Sequence, residues 1–273
     1  MSGAAAHEGF LKALAADGDG PWDVAGAALA LAAFDHDGIA LDPYRDHLAG
    51  LARATGTATA DGGAPAVALA RALAADHGYS GDRESYEDMQ NADLIRVIDR
   101  RRGLPVALAI LYLDAARRQG WDAVGLAFPY HFLIRVEAGG VRAVIDPFHD
   151  GAVLGSHELR ALLKRVAGKD AELERAYFEP VTDRDLLIRL ENNIKSRALR
   201  EENFPRAAEI VRRMLLFAPD HVPLWRDASV TSFRLGEVGR AVKLAEEYFI
   251  RAEDSVTRND AARLIQKLQR NLN

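Results

Sequence analysis

The feature that most constrains this chain is the run 104–113, Leu-Pro-Val-Ala-Leu-Ala-Ile-Leu-Tyr-Leu, which is apolar nearly all round. It is followed by Asp114, Arg117, Arg118 and Gln119 and then by Gly120. An all-round apolar start with a polar end reads as a central buried helix that emerges into solvent. Pro105 suits the first helical turn, where its missing N–H costs little, and Gly120 suits the end.

The residues after this helix change period. Extended runs are expected at 123–128, 131–137 and 141–146, with Gly139-Gly140 between the last two marking a β-hairpin. A two-residue turn there pairs Ala138 with Val141 and Leu133 with Asp146. One face then carries Phe132, Ile134, Val136, Ala143 and Ile145, a core face. The other is mixed, with His131, Arg135, Arg142 and Asp146 among Leu133 and Val144. His131 sits diagonally to Asp146, about 7–8 Å away between backbones, within reach of its side chain.

On the N-terminal side, Ala/Leu-rich stretches at 23–34, 43–55 and 64–77 read as helices. The small, polar stretch 55–63 is expected to be a loop. From Asp183 onward the chain reads as wholly helical. Ala207 and Ala241 lie 34 residues apart, the tetratricopeptide period, with Pro219 where one such repeat ends and Trp225 opening the next. About two units are present, too few to stand alone.

Several chemistries are excluded outright. The 273 residues contain no cysteine, so disulfides, thiolate metal sites and thiol nucleophiles are impossible. A net charge of −5 argues against binding nucleic acid through a global positive field. Arg100, Arg101 and Arg102 are expected on solvated faces. Neither GxGxxG nor a P-loop occurs, and no serine elbow is present. The Asp17-Gly18-Asp19-Gly20 run lacks the glutamate an EF-hand needs and reads as a loop. His131, Asp146, His149, Asp150 and His157 all bear ligand atoms, but no zinc spacing such as HExxH appears. His149 and Asp150 are expected to be exposed turn residues, and neither metal nor cofactor is expected. The residues from Met1 to Glu8 carry no basic stretch before an apolar core, and no apolar run reaches the ~20 residues a bilayer requires. A cytoplasmic protein without membrane contact is the expectation.

Three blocks, in order, resemble the bacterial SirB-type transglutaminase-like proteins. They are residues 91–105 (Asn-Ala-Asp-Leu-Ile-Arg-Val-Ile-Asp-Arg-Arg-Arg-Gly-Leu-Pro), 129–135 (Pro-Tyr-His-Phe-Leu-Ile-Arg) and 145–148 (Ile-Asp-Pro-Phe). The resemblance takes in the flanking helices and so covers nearly the whole chain; Tyr130 departs from it, since the family usually has glycine before the histidine. It implies an α+β fold: a helical N-terminal region (1–90), a papain/transglutaminase-like core with a small antiparallel sheet packed on a buried helix (91–180), and TPR-like α-hairpins (181–273). Enzymes of the wider superfamily use a Cys-His-Asp triad, with the cysteine at the start of the buried helix. On that pattern His131 and Asp146 match the second and third members, and Pro105 occupies the nucleophile position.

Proline has neither a nucleophilic atom nor a backbone donor, and no serine or threonine stands nearby to replace it. The expected protein is therefore a pseudo-transglutaminase. His131 and Asp146 form a remnant dyad that either lines a groove or fixes the hairpin on the buried helix, with Asn91, Arg102, Tyr130 and Arg135 as candidate groove residues. The TPR-like surface is the expected site for a protein or peptide partner, with Arg197, Arg200, Arg212, Arg213, Arg226 and Arg234 either a basic lining or ordinary solvated helix faces. The family namesake's regulatory label implies no more than a loose regulatory role. The alternative is an atypical hydrolase or amidase using the His131–Asp146 dyad with water.

Overall fold

The computed structural model describes residues 3–18 and 20–270. The chain divides into two compact units, Met1–His7 with Asp19–Leu190 and Glu8–Gly18 with Glu191–Asn273. The helix Gly3–Ala16 (α1) opens the sequence. Of the Asp17–Gly20 run, Asp19 lies outside the described residues.

In the first unit, the helix Val24–Ala33 (α2) is buried along its whole length, and Asp23 caps it by accepting from the Gly26 amide at 2.9 Å. The next helix, Asp42–Ala60 (α3), runs through most of the stretch expected to be a loop. The reason lies in the threonines. Thr55, Thr57 and Thr59 each donate a hydroxyl to the carbonyl four residues back, at 2.9–3.1 Å, so they stay in the helix instead of breaking it. Gly56 lets the Gln119 side chain come so close that a Cβ there would stand 2.8 Å from its Oε1. Helix Pro65–Ala70 (α4) continues into a π-helical stretch, Arg71–Asp76.

A short strand, Ser80–Gly81 (β1), pairs in parallel with Arg102–Gly103 (β2). Between them lies Leu94–Arg100 (α5), capped by Asp93. The central helix is Pro105–Arg117 (α6). Leu104 is its extended N-cap, Pro105 its first residue, and every side chain from Pro105 to Leu113 is buried. That is the arrangement its apolar run requires.

Five strands form one antiparallel sheet: Asp122–Leu126 (β3), Leu133–Ala138 (β4), Val141–Asp146 (β5), Ala152–Leu154 (β6) and Pro180–Val181 (β7), in the order β6-β5-β4-β3-β7. The hairpin has the expected register, with Ala138 opposite Val141 and Ile134 opposite Ile145. Gly139 and Gly140 take φ of +58° and +77°, the left-handed pair that a two-residue hairpin turn demands. Helices α4 and α6 cover the face carrying Ile134 and Val136. The second face is more apolar than its mixed sequence suggested. Leu133 and Leu126 form a core there with Leu159, Leu162 and Leu163 of the helix Ser156–Ala167 (α7), and Val144 packs against it.

Asp183, the first residue of the helix Asp183–Arg200 (α8), is buried. It takes both guanidinium prongs of Arg117 at 2.8 Å and the Trp22 amide at 2.8 Å, while Arg117 Nε donates to the Ala123 carbonyl.

The second unit contains helices Phe204–Phe217 (α9), Val222–Arg234 (α10), Val238–Arg251 (α11) and Ser255–Gln269 (α12), packed in sequence order. Helices α9 and α11 have identical lengths of 14 residues and begin 34 residues apart, with Ala207 and Ala241 fully buried in them. Trp225 donates its indole N–H to the Pro219 carbonyl at 2.7 Å, fastening the turn between α9 and α10.

Candidate functional site

The strand β5 ends at Asp146, and Pro147 then starts a single 3-10 turn, Pro147–His149. Asp146 caps that turn: its Oδ1 accepts from the amides of Phe148 at 3.0 Å and His149 at 3.3 Å. Its other oxygen, Oδ2, meets two imidazoles. His131 Nε2 lies 2.9 Å away and His149 Nδ1 2.7 Å away. Asp146 is 2% exposed and His131 8%, so this is a buried dyad with a half-buried third member. Burial pushes the Asp146 carboxyl up, but the hydrogen bond and charge of His131, reinforced by His149, outweigh it and hold the group below the usual carboxylate range.

His131 is packed edge-to-face on Phe148, with ring centroids 6.1 Å apart, and its backbone carbonyl accepts from Arg189 at 2.9 Å. A pocket of about 330 Å3 opens beside the cluster, lined by Asp146 and His149 and by Leu154, His157, Ala161 and Arg165 among others.

His149 corrects the expectation of an exposed turn residue. The 3-10 turn folds its ring back onto the carboxylate three residues earlier, and the Asp-Pro-x-His spacing is the sequence signal for that return. Asp150 follows with a left-handed φ of +55°.

The other candidates separate. Tyr130 is 80% exposed and does not plug the site. It takes φ +55°, which explains the family's glycine here: that backbone suits a residue without a Cβ. Arg135 lies 3.6 Å from Glu137 on its own strand. Asn91 is wholly buried, donating to the Ser85 carbonyl at 2.7 Å and accepting from Arg100 at 3.0 Å. Arg100 also binds Asp82 at 2.9 Å. Burial pushes the Asp82 carboxyl up, but bonds from Ser85, Arg100 and Asn91 outweigh it and hold it down at about 2. Arg102 is exposed, bonded to the Ser80 hydroxyl, and lines a separate polar groove of about 370 Å3 with Asp82 and Asp150.

One charge reading also changes. Arg100 and Arg101 turn inward rather than to solvent, Arg101 binding His47 at 2.7 Å and the Tyr79 hydroxyl. In the repeat helices Arg212 and Arg213 are bound to Glu209, Arg226 to Asp260, and Arg234 stacks over Phe204. Three of the six candidate arginines thus face acidic partners and a fourth an aromatic ring.

Among the described residues, no helix is long and apolar enough to cross a membrane. The sequence profile of the transglutaminase-like superfamily matches residues 43–192, and a tetratricopeptide-repeat profile matches residues 194–268. A UPF0162 protein of Xylella fastidiosa (strain Temecula1) is 33% identical over 174 residues, 63% of this chain and 62% of that protein. A UPF0162 protein of Vibrio cholerae is 34% identical over 154 residues, 56% of this chain and 57% of its own. F-box only protein 21 of Mus musculus is 27% identical over 169 residues, 58% of this chain but 26% of its own. The chain thus spans about three fifths of the length of the bacterial relatives it matches. No solved structure matches it. Matching relatives of this kind bear out the resemblance carried by the three motif blocks, and the superfamily profile covers more than half of the 273 residues. The chain belongs to the transglutaminase-like superfamily.

Proposed function

We propose that this protein is a non-catalytic pseudo-transglutaminase that acts as a regulatory scaffold, receiving a protein or peptide partner on its tetratricopeptide-repeat helices. Transglutaminase-like and repeat domains together support an interaction role. The observation that carries the non-catalytic part is Pro105: it is buried as the first residue of α6, the place that the superfamily's triad gives to its nucleophile. His131 and Asp146 remain as a base and its orienter with nothing to activate.

The repeat unit presents Ile250 and Val256, 69% and 77% exposed, at the end of α11 and the start of α12. Exposed aliphatic side chains on stacked helical hairpins suit a partner helix or peptide. The test pairs two measurements on purified protein. A captured partner, once identified and purified, binds wild type and His131→Ala alike but binds Ile250→Asp/Val256→Asp at least about tenfold more weakly, a loss of about 1.4 kcal/mol. Turnover of amide or ester substrates that disappears in His131→Ala would overturn the scaffold reading.

One observation favours the hydrolase as a second reading. The pocket beside Asp146 and His149 gives a small substrate a place to sit next to the dyad.

A further inference from the structure

A remnant dyad needs one histidine on its carboxylate, yet Asp146 Oδ2 is met by two. His131 arrives from the segment entering β4, and His149 returns from the turn after β5. The two ring nitrogens and the carboxylate oxygen all lie within 4.8 Å of one another. A tetrahedral zinc ion, with ligands at about 2.0–2.1 Å, holds neighbouring ligand atoms about 3.3 Å apart. The rings stand 2.9 and 2.7 Å from Oδ2, so the carboxylate must back away slightly and the two rings must close toward each other, shifts of about 1 Å per side chain that rotamer adjustment on ligand binding can supply.

We propose that His131, Asp146 and His149 form a binding site for a divalent transition-metal ion of the zinc class, with the remaining coordination position open to the adjoining pocket.

Four features support the assignment beyond the spacing. Two neutral imidazoles and one carboxylate are the donor set that such ions take from proteins, and their single negative charge offsets part of a dication's charge. The support of the carboxylate is already in place: Oδ1 is held by the amides of Phe148 and His149, which leaves Oδ2 to face the two rings. His131 and Asp146 are buried beside the sheet, which shields two of the three ligands from competing water. His149 is 37% exposed at its side chain and borders the open pocket, which gives the ion an entry path and leaves room for water or a ligand on it. The assignment is independent of partner binding by the repeats, since every residue in it belongs to the first unit.

The experiment uses the full, tag-free chain, stripped with a chelator and titrated at about pH 7.5, where exposed imidazoles are neutral. Zinc affinity is read by competition with a chromogenic chelator, and cobalt(II) reports geometry through its visible absorption. The proposal expects one zinc per chain, a tetrahedral cobalt spectrum, and affinity at least about 100-fold weaker in His149→Ala and in Asp146→Asn. Because the His149 side chain is more than one third exposed, His149→Ala should fold even if Asp146→Asn does not. Zinc binding as tight in folded His149→Ala as in wild type, or no stoichiometric binding by wild type, overturns it.

Discussion

Arg117 and Asp183 stand 66 residues apart in sequence and meet through two parallel hydrogen bonds of 2.8 Å each. Arg117 lies on the last turn of the central helix, and Asp183 opens the helix that follows β7. A bidentate pair of this kind fixes direction as well as distance. The same carboxylate also holds the Trp22 amide, so one buried side chain ties together three segments of the first unit.

Replacing Asp183 with Asn therefore leaves a part-buried guanidinium without its anion. We expect Asp183→Asn to lower the free energy of unfolding by about 2–4 kcal/mol, read from chemical denaturation. A loss under about 0.5 kcal/mol would show that the latch is only decorative.

Stability should also depend on His47. Burial, with the nearby positive charge of Arg101 and of His77, pushes its pKa down from 6.5 to about 4. The unfolded chain therefore takes up a proton between those values while the folded chain does not, so stability is fully present above pH 6.5 and falls as pH drops toward 4. In His47→Gln that part of the pH dependence should disappear, as measured by denaturation at a series of pH values. An unchanged slope in the variant would assign the effect to other groups.

Tyr130 carries a left-handed backbone with its side chain in solvent. Glycine removes a strain of about 1–2 kcal/mol and gives back roughly half of it as extra freedom in the unfolded chain. Tyr130→Gly should raise the melting temperature slightly, with a net gain of up to about 1 kcal/mol. Destabilisation by that variant would mean the ring makes a contact that its exposure conceals.

Asn91 satisfies the Ser85 carbonyl and the Arg100 guanidinium from a position with no solvent. Asn91→Leu should cost about 2–3 kcal/mol and loosen the loop before α5, seen as faster amide exchange around Asp82–Ser85. Exchange that is unchanged there would separate the asparagine from the order of that loop.

The sequence made some of this architecture readable and hid the rest for identifiable reasons. The buried helix from Pro105 was legible because an all-round apolar run has few other places to go. The hairpin register followed from Gly139-Gly140, and the spacing of α9 and α11 from the 34-residue period, since both are local or periodic signals. The helix through Thr55–Ala60 was not, because its composition favours a turn and only hydroxyl bonds to the preceding turn reveal otherwise. The Arg117–Asp183 pair was invisible because nothing local joins two residues so far apart. At the site, the His131–Asp146 contact was legible from strand pairing, while His149 depended on how one turn of backbone curls after Pro147. The charge pattern of Arg100 and Arg101 misled because a run of letters does not show which polar groups lie opposite.

The ends of the sheet carry a consequence for assembly. Its outermost strands are β6, three residues long, and β7, two residues long and beginning with Pro180, which has no N–H to offer. Borders so short give a foreign strand almost no ladder to continue, and they guard the protein against edge-to-edge aggregation. A strand laid against either border of this sheet would find at most three residues to pair with.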